Sequence, residues 1–340
     1  MGFFGVGSIL GAFIGGRLTD KLGFYYIMFF SLVMNGIFFM VLGQMTSFWQ
    51  FGICIFILGT VGEGFRPANA AAIANYSKPE NITRSYSLNR LAVNLGWSIG
   101  PAAGGIIAGY SYQWLFIFNG IACIAAAILL RLCLKPPQSF KELKKQSKTI
   151  LSPVQSAYKD KVYMRFMFIV FVVAVCFLQL FSILPLFYKE RMGMSETNIG
   201  LVLAMNGLFI ALVEMILVYK IEGRRPMRFY MALGSLLIGL SYVLLNLGFA
   251  HIALVIFCMF IITFGEMFLF PFINTFWVTR SNAQNRGQYA AVFTIAFAAA
   301  NVVAPTLGAQ VVNYFGFDVW WYVVFLICIV GAIGFYKLKY

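Results

Sequence analysis

Glu63 and Arg66 stand three residues apart inside the apolar run "FGICIFILGTVGEGFRPANAAAIA". On a helix that spacing puts both side chains on one face. A carboxylate in apolar surroundings is driven toward its neutral form by desolvation and back toward the charged form by a neighbouring arginine. Such a pair can exchange a proton in competition with the binding of something else, or it can serve as a structural ion pair that holds helices together. Glu266 lies in a second apolar run at a matching position, without an arginine one turn away, so the proton affinities of the two glutamates are expected to differ. Glu214 falls about a turn and a half before Lys220 and either joins this group or reaches the membrane interface. Asn94, Asn206, Asn274 and Asn301 add neutral polar groups, equally suited to interhelical hydrogen bonds and to ligand contacts.

The surroundings of these residues are set by composition. Hydrophobic residues make up 61% of the 340, and charged residues only 11%, where a soluble domain carries about 25%. Apolar runs long enough to cross a bilayer recur over approximately 2–18, 25–43, 50–74, 84–108, 113–134, 162–187, 198–219, 229–248, 251–277, 287–312 and 317–336. A charge at the centre of such a run costs roughly 2.5–3.5 kcal/mol, so it is expected to face a cavity or a partner. The six cysteines are scattered through the apolar runs in no metal-binding or disulfide spacing, and read as small packing residues. His251 sits at a loop edge.

Basic residues orient the chain. Of the 25 Lys and Arg, all except Arg66, Lys189 and Arg191 fall in loops or helix ends on one side, Arg90 counted among them. The positive-inside rule puts that side, with the lysine-rich linker 135–161 and the C-terminus, in the cytoplasm. The +14 net charge therefore points to a membrane and not to nucleic acid. Eleven spans ending inside would begin outside, yet Met1 opens directly in an apolar run with no basic leader. The expectation is that one helix precedes this sequence.

An internal repeat agrees with that expectation. "GEGFRPANAA" from Gly62 and "GEMFLFPFINT" from Gly265 share a frame about 203 residues apart, with Glu63 on Glu266, Arg84 near Arg286, Pro101 near Pro305 and Gly104 near Gly308. "RLTDKLG" at 17–23 falls opposite "YKIEGRR" at 219–225. The repeat divides the chain into an N-terminal lobe, 1–134, the linker 135–161, and a C-terminal lobe, 162–340.

Two motifs carry further chemistry. Gly16-Arg17-Leu18-Thr19-Asp20-Lys21-Leu22-Gly23 places a carboxylate among basic side chains and helix ends, with glycines that let two helix ends approach. It reads as a charged latch that forms in one state and opens in another, or as a turn that only orients a hairpin. The second motif, Gly96 to Gly105, repeats glycine every four residues (Gly96, Gly100, Gly104) around Pro101 and ends on Gly105, which gives a flat face for close packing and a bend.

On these residues the chain resembles the major facilitator superfamily. Gly16 to Gly23 is similar to its G-x-L-x-D-R/K-x-G signature, although Phe24 and Tyr25 stand where the family usually has basic residues. Gly96 to Gly105 matches the G-x-x-x-G-P-x-x-G-G pattern of the superfamily's antiporters, and Arg66 sits where an arginine in the fourth helix is associated with proton coupling. The resemblance implies an all-α membrane protein of two pseudo-symmetric lobes, with about eleven transmembrane helices here and twelve in the full-length family pattern. It implies a secondary transporter without cofactor or metal, working as a monomer in the lipid bilayer of a bacterial inner membrane on a small-molecule substrate and protons. The leading expectation is proton-coupled export of small apolar or amphipathic compounds, as in the drug:proton antiporters. The alternative is uptake of peptides, sugars or organic acids by proton symport. No HExxH, no paired intramembrane aspartates and no nucleotide-binding loop occur in the sequence, which argues against an enzyme.

Overall fold

The computed structural model describes residues 2–134, 156–247, 252–282 and 284–338, and among these no strand occurs. The first half contains α1 (Gly2–Leu22), α2 (Phe24–Leu42), α3 (Phe48–Tyr76), α4 (Ile82–Tyr110) and α5 (Tyr112–Cys133). The second contains α6 (Lys161–Phe177), α7 (Ile183–Glu190), α8 (Glu196–Ile221), α9 (Met227–Val243), α10 (Ile252–Arg280) and α11 (Arg286–Lys337). An all-helical chain is what an apolar environment requires, because a helix satisfies its own backbone hydrogen bonds. Of the linker 135–161 only the part from Ser156 is described, and His251 also lies outside the described residues.

Among the described residues, eight segments are long and apolar enough to cross a membrane. One of them, α11, runs for 52 residues and is broken at Gly316 (φ 82°, ψ 169°), between the two spans read from the sequence. That backbone region is essentially closed to residues with a Cβ. The two expected spans outside the eight are α1, with six glycines and a charged end, and α4, which carries Arg84, Arg90 and the glycine motif. The span expected over 162–187 is also interrupted. A 3-10 turn at Leu178–Leu180 separates α6 from α7, and Gln179 is fully buried there. Its amide donates to the carbonyls of Val175 (3.0 Å) and Ala304 (3.1 Å), which ties the interruption to α11.

The helices divide into two compact units. One comprises 1–78, 100–161 and 277–298, the other 79–99, 162–276 and 299–340. Each takes segments from both halves of the chain, and α4 passes from one unit to the other between Ile99 and Gly100.

Within the first unit, α1 lies on α3 through Gly7, Gly11 and Gly15. A Cβ on any of them would collide with α3 backbone, at Phe56, Thr60 and Gly64 in turn. Helices without a hydrophobic driving force between them gain from such contact, which brings backbones into van der Waals range. In the second unit Gly234 and Gly265 bring α9 and α10 together in the same way. Large side chains fill the remainder of that unit: Tyr242 stacks on Trp321 (5.0 Å) and Phe166 lies against Phe276 (4.1 Å). Gly11→Ala is therefore expected to lower the thermal unfolding midpoint of the detergent-purified protein. Gly200→Ala, a helical position with nothing within 4 Å of the new methyl, should leave it unchanged or raise it slightly. Equal midpoints for the two variants would contradict the packing account.

Candidate functional site

Gly23, with φ 94°, ends α1 and turns the chain into α2, so the residues just before it stand at a helix end. Asp20 is buried there. Its Oδ1 accepts a hydrogen bond from the backbone N–H of Gly287 (2.6 Å) and its Oδ2 accepts one from that of Gln288 (2.9 Å). Both donors lie in the first turn of α11, where amides lack intrahelical partners and the helix dipole is positive. Approach this close needs small residues on both sides. A Cβ on Gly16 would strike Ala291 and the Gly287 carbonyl, and one on Gly287 would lie 2.7 Å from Asp20 Oδ1. Arg17 places its guanidinium 4.1 Å over the ring of Phe13, which in turn meets Tyr158. Lys21 is exposed. The expected motif residues thus come together, and the structure supplies the helix end on which Asp20 acts.

The same helix start is held from a second direction. Asp160, just ahead of α6, makes a two-pronged ion pair with Arg280 (2.5 and 3.0 Å) and accepts from the Tyr289 hydroxyl (2.8 Å). Ser156 Oγ lies 3.0 Å from Gln288 Oε1. Tyr158 interacts electrostatically with Arg17 and Asp20. Burial pushes its hydroxyl above the ordinary tyrosine value, Arg17 opposes that and Asp20 adds to it.

The repeat frame aligns Asp20 with Glu222, and the structure gives Glu222 an analogous task. Its Oε2 accepts from Arg84 Nε (2.9 Å) in the first turn of α4, the helix that the repeat aligns with α11. Arg84 also lies over the Tyr219 ring at 4.5 Å. Here a guanidinium replaces the backbone amides as the positive partner.

Deeper in the second unit, α4, α8 and α10 meet at charge. Arg90 Nε donates to Glu214 Oε2 (3.0 Å) and its Nη2 to Glu266 Oε2 (3.4 Å), and the guanidinium lies 4.7 Å over the Phe270 ring. Asn206 Nδ2 bridges Glu266 Oε1 (2.7 Å) and Thr263 Oγ1 (2.9 Å). The two glutamate side chains are 2% and 4% exposed, and Arg90 only 17%.

The cluster adds an arginine that the sequence did not assign to Glu266, decides between the two readings of Glu214, and corrects the placement of Arg90. Glu266 has an arginine, supplied by another helix instead of by its own. Glu214 is directed inward and does not reach for the interface with Lys220. Arg90 belongs with the buried charges and not with the loop residues, because it sits two turns inside α4. Helical spacing from Glu214 or Glu266 does not point to it; a signal was present in its place within an otherwise apolar stretch, "LNRLAVNLGW".

Glu63 and Arg66 make the expected i,i+3 ion pair at 2.8 Å, within one turn of α3. Glu63 is 14% exposed and Arg66 is 65% exposed. Asn94 is half-buried on α4. The glycine motif also behaves differently from its reading. Methyls added at Gly96 or Gly100 would meet nothing within 4 Å, and one at Gly104 would meet Leu115 at 3.5 Å, so this face makes no close helix contact at those positions in this structure. Pro101 and Gly105 are helical in backbone, and their surroundings lie outside what is described.

The Arg90 cluster generates a stability prediction. Arg90→Ala leaves two buried carboxylates without their cation, and breaking a buried pair from one side costs roughly 3–5 kcal/mol. A marked drop in thermal midpoint is expected for Arg90→Ala and a smaller one for Arg66→Ala, whose guanidinium is mostly exposed and pairs with a single carboxylate. Equal effects would contradict the difference in burial.

Comparison with known proteins gives these features their context. The model of the Major Facilitator Superfamily matches residues 1–305. The Na(+), Li(+), K(+)/H(+) antiporter of Planococcus maritimus is 23% identical, over 93% of this chain and 81% of its own. Multidrug resistance protein 2 of Bacillus subtilis (strain 168) is 24% identical, over 74% of this chain and 64% of its own. The crystal structure of the human organic anion transporter MFSD10 (TETRAN) superposes with a TM-score of 0.82 at 16% identity, covering 98% of this chain and 82% of that one. The helical fold, the signature around Asp20 and a family match across most of the sequence converge: the chain belongs to the Major Facilitator Superfamily and is a multi-pass membrane transporter.

Proposed function

We propose that the chain is a proton-coupled exporter of small apolar or amphipathic compounds. It works by alternating access between an N-terminal lobe, 1–134, and a C-terminal lobe, 162–340, with the linker 135–161 and the C-terminus in the cytoplasm of a bacterial cell. The observation that carries this reading is the hold of Asp20 on the first turn of α11, 267 residues along the chain. The contact pairs a carboxylate with backbone N–H groups at a helix start, so it can form and release without rearranging either helix. Charge-assisted hydrogen bonds are worth about 1.5–3 kcal/mol each, enough to hold one state without trapping it.

Export is favoured by the G-x-x-x-G-P-x-x-G-G pattern on α4 and by relatives named as a multidrug resistance protein and a proton antiporter. Proton coupling is favoured by Glu63, Glu214 and Glu266 in apolar segments, two of them almost wholly buried beside Arg90. Asn94 and the other intramembrane asparagines are candidates for substrate contact.

Everted membrane vesicles carrying the protein, acid inside, should accumulate the amphipathic dye ethidium, and a protonophore should abolish the accumulation. Asp20→Asn should lower the rate about tenfold while leaving ethidium affinity near the parent value, because the residue acts on the conformational equilibrium. Accumulation indifferent to the protonophore would contradict proton coupling. A variant with normal rate and lost affinity would contradict the latch.

A further inference from the structure

The cluster on α4, α8 and α10 contains two carboxylates and one guanidinium, all largely removed from water. With every group ionised it holds one uncompensated negative charge. Its four carboxylate oxygens are not equivalent. Glu266 Oε1 accepts from Asn206 and Glu266 Oε2 from Arg90, while Glu214 Oε2 accepts from Arg90. Glu214 Oε1 is buried and accepts no hydrogen bond from any described residue. Ser87, fully buried on α4, brings its hydroxyl within weak hydrogen-bonding range of Glu214 but outside the geometry of a well-formed bond. A carboxylate oxygen and a hydroxyl thus face one region with no well-formed hydrogen bond at either atom, which is costly in a buried site.

We propose that Glu214 Oε1 is the atom that takes up the transported proton, with Ser87 Oγ accepting the hydrogen bond of the resulting acid. The step is a simple protonation: the carboxylate gains a proton and the excess charge of the cluster is cancelled. Arg90 then keeps both of its contacts, to the remaining oxygen of Glu214 and to a still ionised Glu266. The groups that face the site from each packed element are Arg90 and Ser87 on α4, Asn206 on α8, Thr263 and Glu266 on α10, and Tyr242 on α9, which interacts electrostatically with Glu266. Arg90 and Glu266 are positioning residues here, setting the charge that the proton balances. This assignment rests on the proton-coupled reading, and it places the proton on the second unit instead of at Glu63.

Infrared difference spectroscopy of the purified protein in lipid films, titrated from alkaline to acid pH, reads protonated carboxyl groups directly and needs no transport. The parent should show a pH-dependent carboxyl C=O band that Glu214→Gln loses. Ser87→Ala, which removes the hydroxyl that accepts from the acid but leaves the carboxyl in place, should keep the band and move it to higher frequency. A band unchanged in Glu214→Gln overturns the assignment. If that variant does not fold, Ser87→Ala decides: a shifted band supports the site and an unshifted one overturns it. A parent that shows no titrating carboxyl band but altered carboxylate bands on adding sodium chloride also overturns it, in favour of an alkali cation. Failure of ethidium export with the band present would remove the exporter reading and leave the proton site standing. Intact export with the band surviving in Glu214→Gln would do the reverse.

Discussion

A charge inside a chain this apolar costs several kcal/mol unless an opposite charge or an aligned set of N–H groups meets it, and that cost organises the molecule. Asp20 is met by the first turn of α11, Glu222 by Arg84 in the first turn of α4, Asp160 by Arg280 and Tyr289, and Glu214 and Glu266 by Arg90. Each pairing ties residues more than a hundred positions apart in sequence. The same electrostatic requirement therefore fixes which helices lie side by side and provides the contacts that a transport cycle can break and remake.

Glycine supplies the complementary constraint. Gly7, Gly11 and Gly15 seat α1 against α3, and Gly16 with Gly287 lets Asp20 come within hydrogen-bond reach of backbone amides. Contacts of this kind are short-ranged and lose most of their value with a small displacement. A helix pair held by glycine contact and one charged cap is stable in one arrangement and readily released from it. That combination suits a transporter, which must hold each of its states only briefly.

Much of the fold was legible in the sequence. The eleven apolar runs coincide with helical segments, including the division of α11 near Gly316, because hydropathy and helix length respond to the same bilayer constraint. Asp20 was identifiable because its motif is local. The Arg90 cluster was not, since its members come from three helices and helical spacing carries no information across elements. The repeat frame aligned Glu63 with Glu266 correctly as sequence, yet their partners differ: an exposed arginine on the same turn for one, a buried arginine from another helix for the other. The glycines of α4 showed the right spacing for close packing, but spacing alone does not say whether a neighbour is present.

The central claim is that the hold of Asp20 on α11 forms in one state and opens in another. Spin labels at Lys21 and Asn282, both exposed, in a background without native cysteines, report the distance between the end of α1 and the residues just ahead of α11 by pulsed electron paramagnetic resonance. The account predicts two distance populations in the parent, with Asp20→Asn moving weight to the longer one. A single short distance, identical in parent and variant, would contradict it.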